Sequence, residues 1–112
     1  MTYEEIVATA RETVQRVDTT QIAEHAAIEI DIEGEGEGAF YVEFTDGAIR
    51  VEPYEYYGFD CRIRTNAATF SLLLSGMLDP YSALADGTIN LEGNIEKAII
   101  LATVLRTMKT DG

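Results

Sequence analysis

The chain has 112 residues, 46% of them hydrophobic, and a formal net charge of −12. That is the length of one domain, residues 1–112, with enough apolar content to build a core, which argues against disorder. Twenty acidic residues against eight basic ones leave little to displace counterions, so nucleic acid is not an expected partner.

Thr2-Tyr3-Glu4-Glu5 reads as a capping box, in which the Thr2 hydroxyl and the Glu5 carboxylate satisfy each other's free amides. The helix it starts is expected to run to about Val17. Its apolar residues Tyr3, Ile6, Val7, Ala10, Val14 and Val17 form the single stripe of an ordinary packing helix. A further short helical turn is expected over Asp18–Ala26.

The period then changes to two. Ile28, Ile30 and Ile32 alternate with Glu29, Asp31 and Glu33, and Phe40, Val42 and Phe44 alternate with Tyr41, Glu43 and Thr45. Ile49 and Val51 form a third set, Phe59, Cys61 and Ile63 a fourth, and Ile89 and Leu91 a fifth. Five strands with one apolar and one polar face predict a sheet wet on one side, with every helix on the other. Asp46-Gly47 and the Gly34–Gly38 run supply hairpin turns. The Gly/Glu run is no phosphate cradle, because its carboxylates would repel the ligand.

Helical spacing returns after Asn66, an N-cap, with Phe70, Leu73 and Leu74 on one face and Gly76 as the stop. Asp79-Pro80 starts a short helix that Gly87 ends, and Asn94 caps the last one. That last helix is unusual. At 100° per residue, Ile95, Ala98, Ile99, Leu101, Ala102 and Leu105 spread over roughly half its circumference. Ile100, Val104 and Met108 widen the arc, leaving Glu96, Thr103 and Thr107 as the mid-helix polar stripe. Such a helix buries two surfaces, and in a chain this small the second faces a partner subunit or an apolar ligand.

Single residues add little chemistry. Cys61 has no second cysteine and sits in an alternating apolar pattern, so it reads as a small core residue. His25 is alone, and no ligand set for a metal stands beside it. No Ser-His-acid set or nucleophile elbow is present, and the strand acids point outward, so no catalytic residue, metal or cofactor is expected and the protein reads as a non-enzyme. No window of about 18 apolar residues predicts stable membrane insertion, and an anionic bilayer would repel the average face. The N-terminus lacks a secretion layout and Thr110-Asp111-Gly112 is no retention or peroxisomal address, so the expected compartment is the cytoplasm. The acidity suits a salt-rich cytoplasm, and equally suits ordinary solubility by self-repulsion.

Over roughly Ala27 to Met108 the chain resembles the sterol carrier protein family, the type-2 lipid-binding domain. The resemblance rests on the hairpin Phe40–Ile49 and on Phe59-Asp60 ahead of a helix carrying Phe70. It also rests on the corner Leu73-Leu74-Ser75-Gly76-Met77-Leu78-Asp79-Pro80, on Ala83, and on Gly87-Thr88-Ile89-Asn90-Leu91-Glu92-Gly93-Asn94. It implies an α+β fold: a five-stranded mixed sheet with one face covered by helices, enclosing an apolar tunnel for sterols, fatty acids or fatty acyl-CoA. It also implies the strand order third, second, first, fourth, fifth. Charge supports that order independently, since it sets Glu29, Asp31 and Glu33 beside Arg62 and Arg64.

The expected function is therefore non-covalent binding, with transfer left open, of a long-chain lipid or other apolar small molecule. The expected lining is Phe70, Leu73, Leu74, Met77, Leu78, Tyr81, Leu84, Ile89, Leu91, Ile99, Ala102 and Leu105. The bland alternative is that these side chains fill one another's gaps. An empty pocket of ~300 Å³ would cost roughly 7 kcal/mol, so an unliganded form should be collapsed, wet or filled. Tyr54, Tyr56 and Tyr57 either rim the tunnel mouth, meet a membrane interface or brace their loop. Asp60 reads as a structural carboxylate bonding backbone amides or Arg62 and Arg64. The competing reading of the whole is an interaction module: a homodimer built on the last helix, or an accessory that presents lipid or quinone-type substrates to a partner enzyme.

Overall fold

A computed structural model describes residues 2–16 and 24–108, with side chains described as far as residue 104. The elements are α1 (Tyr3–Val14), β1 (Ala26–Glu33), β2 (Gly38–Thr45), β3 (Ala48–Glu52), β4 (Cys61–Asn66), α2 (Ala67–Leu74), α3 (Pro80–Ala85), β5 (Asn90–Gly93) and α4 (Ile95–Met108). The strands form one mixed sheet in the order β3-β2-β1-β4-β5. The β1–β4 pair is parallel and its neighbours are antiparallel, which puts Glu29 opposite Arg62 and Asp31 opposite Arg64. The charge argument for strand order thus has its physical basis in the register: Arg62 Nε lies 3.4 Å from Glu29 Oε2, and Arg64 Nε 3.8 Å from Asp31 Oδ2.

Helix α1 begins with the capping box, the Glu5 amide donating to Thr2 Oγ1 at 3.1 Å and the Thr2 amide to Glu5 Oε1 at 2.8 Å. It ends at Val14, three residues short of the expected end, and Val17 lies outside the described residues. The helical turn expected over residues 18–26 also falls mostly outside them, and its last residue, Ala26, opens β1 instead. Asn66 and Asp79 cap α2 and α3 as their side chains accept from the Thr69 and Ser82 amides. The core lies between the inner sheet face and the helices. Ile28, Ile30, Phe40, Val42, Phe44 and Cys61 are almost completely buried there under Ile6, Ala10, Phe70, Leu73 and Leu101. Phe40 stands edge-on to Tyr3 and to Phe70, with centroids 6.5 and 5.6 Å away.

The outer face is not simply wet. Glu29 and Glu43 are only 5% and 9% exposed, because the β3–β4 connection folds over them. The Tyr56 amide donates to Glu29 Oε1 at 3.0 Å and its hydroxyl to Glu43 Oε2 at 2.8 Å, while its ring meets Tyr41 edge-on. Phe59 departs from the expected alternation: β4 starts only at Cys61, and the Phe59 ring turns outward under the Arg62 guanidinium, 4.7 Å away. Burial, helped by the neighbouring Asp31 carboxyl, raises the carboxyl of Glu29 above its ordinary range against the Tyr56 amide and Arg62. Glu43 ends below its range: burial pushes it up, but hydrogen bonds from His25 and Tyr56 outweigh that.

Candidate functional site

The elements around the inner face converge on one apolar cavity. Ile30 and Ile63 form its floor, Phe70 and Leu73 come from α2, and Pro80, Tyr81 and Leu84 from α3. Leu91 enters with β5 and Ile89 just ahead of it, and Ala98, Ile99, Leu101 and Ala102 with α4. Each helix reaches the cavity for a local reason. The Asp79 cap and the Pro80 ring start α3, and Asn94, which accepts from the Glu96 amide at 2.9 Å, starts α4 back over β1 and β4. Asp60 ties this end together. Its carboxylate accepts the Ala27 amide at 2.7 Å, its own amide donates to the Ala27 carbonyl and its carbonyl accepts the Asn94 amide, both at 2.8 Å. Of the two roles expected for Asp60, the backbone one is what these hydrogen bonds show.

The cavity volume is about 50 Å³. That is less than two water molecules' share of the liquid and far below the several hundred cubic ångströms of a typical ligand pocket. The expected tunnel is therefore seen only as a small void that is partly open to solvent. Such a void costs only about 1 kcal/mol, which a domain tolerates. Ile99 lines it and is also 39% exposed, so the mouth opens beside α4.

Among the expected lining residues, Phe70, Leu73, Tyr81, Leu84, Ile89, Leu91, Ile99 and Ala102 surround this void. Leu74 and Leu78 pack against the core instead, and Met77 is 79% exposed. Gly76 at φ 78° turns the chain after α2 and carries Met77 out to solvent. The side chain of Leu105 lies outside those described. Ile30, Ile63, Ala98 and Leu101 look like ordinary core positions in the sequence, and no periodicity distinguishes them from a wall. Pro80 is a cap residue that also serves as a wall.

The three tyrosines do not rim this mouth. Tyr56 is bound to the opposite face of the sheet, and Tyr54 and Tyr57 stand exposed in the same connection. That outer side holds a polar groove of about 280 Å³ between Glu29, Asp31, Tyr56, Phe59 and Arg62. Asp31 Oδ1 and Arg62 Nε are buried there without a hydrogen-bond partner, and the space suits ordered water. Cys61 sits in the core, its thiol pushed up to about 11 by burial. His25 is hydrogen-bonded to Glu43 at 2.8 Å. Among the described residues no group of three or more His, Cys, Asp or Glu side chains is placed to hold a metal. No described helix is long and apolar enough to cross a membrane.

The model of the SCP-2 sterol transfer family matches residues 8–106, and the chain belongs to that family. No protein of curated function matches it by sequence. Solved structures share the fold. The palmitated SCP2L2 of Aedes aegypti superposes with a TM-score of 0.70 at 19% identity, over 94% of this chain and 95% of that one. A ubiquinone synthesis protein, UbiJ-SCP2, gives 0.62 at 12% identity over 87% and 77%. A double mutant of the sec-alkyl sulfatase PisA1 gives 0.74 at 15% identity over 85% of this chain, which spans only 15% of that enzyme.

Proposed function

We propose that the chain binds an apolar lipid non-covalently between the inner sheet face and α2, α3 and α4. The observation that carries this reading is the void itself: a cavity lined by apolar side chains from β1, β4, β5, α2, α3 and α4, with Ile99 at its boundary with solvent. The solved relative described as palmitated has the same fold, which supports an acyl chain or a molecule of similar shape as occupant. A long lipid needs several hundred cubic ångströms, so binding requires a wall to move. Helix α3 is the light wall, since only Ala83 of its six residues is buried. The reading assigns no chemical step and the whole chain serves as one carrier domain.

The test is native mass spectrometry and lipid extraction on purified protein, followed by a thermal series with fatty acids, acyl-CoA and sterols. A ligand at 100 times its Kd adds ~2.7 kcal/mol, which raises Tm on the order of 10 °C for a domain of this size. Ala102→Leu fills the void from α4. It should leave stability within about 1 kcal/mol while removing that ligand-induced rise.

A second reading is favoured by Ile95 and Ile99, 48% and 39% exposed and one turn apart on α4. They offer a surface to a second copy or to a partner enzyme that receives the lipid, and the fold's occurrence as a small part of PisA1 is compatible with an accessory role. A lipid-free dimer in solution would favour the module over the carrier.

A further inference from the structure

The walls of the cavity are not equally held. Ile30 and Ile63 stand on β1 and β4, interior strands paired on both sides. Helix α2 follows β4 without a loop, since Asn66 ends the strand and Ala67 opens the helix, and it buries Phe70 and Leu73. The start of α4 is pinned twice: the Asn94 amide donates to the Asp60 carbonyl and Lys97 Nζ to the His25 carbonyl, both at 2.8 Å. Ala98, Leu101, Ala102 and Val104 are buried further along the same helix.

Helix α3 is held differently. It lies between Gly76 and Gly87, both in the left-handed region at φ 78° and 81°. Glycine leaves that region at little cost, so the chain can turn about both positions. Nothing lies within 4 Å of where a Cβ would stand on Gly87, so no neighbour crowds the second pivot there. Between the pivots Pro80, Tyr81 and Leu84 are half-buried against the cavity, and of the helix only Ala83 is buried.

The segment also satisfies much of its own backbone. Asp79 Oδ2 accepts both the Ser82 amide and the Ser82 hydroxyl at 3.0 Å. The Ala83 and Asp86 amides donate to the Asp79 and Ser82 carbonyls, again at 3.0 Å. These bonds travel with the helix and are not lost when it lifts. Two others hold it down: the Ile89 amide donates to the Ala83 carbonyl at 3.2 Å, and Tyr81 Oη lies 3.3 Å from Thr103 Oγ1 on α4.

We infer that residues 77–86 form a lid, hinged at Gly76 and Gly87, whose opening admits the guest and sets its rate of exchange. This rests on the proposed lipid site and adds its moving part. Opening withdraws Pro80, Tyr81 and Leu84 from the cavity as one body, while the sheet floor, α2 and α4 keep their places.

Native hydrogen exchange reads the second pivot through the Ile89 amide, whose acceptor lies inside the lid. That amide should exchange at least about a hundredfold faster than those of β1. A second measurement ties the lid down. Tyr81→Cys and Thr103→Cys are introduced together and joined by a short bis-maleimide, which spares the buried, protonated Cys61. With the unlinked double variant as reference, the link should slow uptake of the fluorescent fatty acid cis-parinarate at least about tenfold. Ile89 exchanging in step with β1, or uptake untouched by the link, would overturn the lid while the lipid site stands. Failure of the unlinked variant and the wild type to take up the probe would overturn the site reading along with it.

Discussion

The two faces of one sheet carry the same alternation and behave oppositely. Outward, the two buried glutamates have directed partners: the Tyr56 amide and hydroxyl reach Glu29 and Glu43, His25 reaches Glu43 from the side, and Arg62 lies among Glu29, Asp31 and Phe59. Inward, Ile30, Ile63 and Phe70 touch their neighbours without any preferred direction, and they leave a void. Hydrogen bonds and ion pairs fix geometry because they weaken steeply off-axis. Dispersion contacts are individually small and can be exchanged. The polar face thus holds the sheet in shape by directed bonds, while the apolar face is packed by contacts that can be exchanged.

Mutations can break that contrast in graded steps. Phe40→Ala, at the centre of the inner face, should cost about 4 kcal/mol in urea unfolding, because a fully buried ring edge-on to Tyr3 and Phe70 leaves a hole. Asp60→Ala strips the buried Ala27 amide of its acceptor and should cost about 2 kcal/mol. A loss below half that value would show the clamp at the mouth end of the sheet to be slack. Glu43→Gln should cost about 1 kcal/mol at pH 7. The folded carboxyl of Glu43 lies below the ordinary glutamate value of 4.5, so its stabilisation is full above that value and disappears as pH falls through the lowered one. The gap between wild type and variant should therefore close on acidification below 4.5, and a pH-independent gap would contradict the hydrogen-bond account. Smallest of all, Arg16→Ala breaks an exposed pair with Glu12 on α1 and should move stability by less than about 0.5 kcal/mol.

What could be read without coordinates was whatever depends on neighbours along the chain or directly across a strand pair. The Thr2–Glu5 box, the Asn66 and Asp79 caps and the pairing of Glu29 and Asp31 with Arg62 and Arg64 are of that kind. The roof over the outer face was not legible, since nothing local tells that Tyr56 will cover Glu29, 27 residues away. The site was legible in part. Side chains at helical spacing on α2, α3 and α4 do converge, but Ile30 and Ile63 carry no mark separating wall from core. Met77 has the right chemistry in the wrong place, because one left-handed glycine redirects the chain after α2. Void volume depends on how side chains mesh in three dimensions, and periodicity holds no information about that.

Cys61, the chain's single thiol, has a use beyond packing. It is wholly shielded at the start of β4, directly beside β1, and held protonated well above neutral pH, so alkylating reagents cannot attack it in the closed molecule. Its labelling rate under native conditions therefore clocks how often this part of the sheet breathes open. A guest seated against Ile30 and Ile63, the next inward pair along the same two strands, should slow that clock without any dye or tag being added.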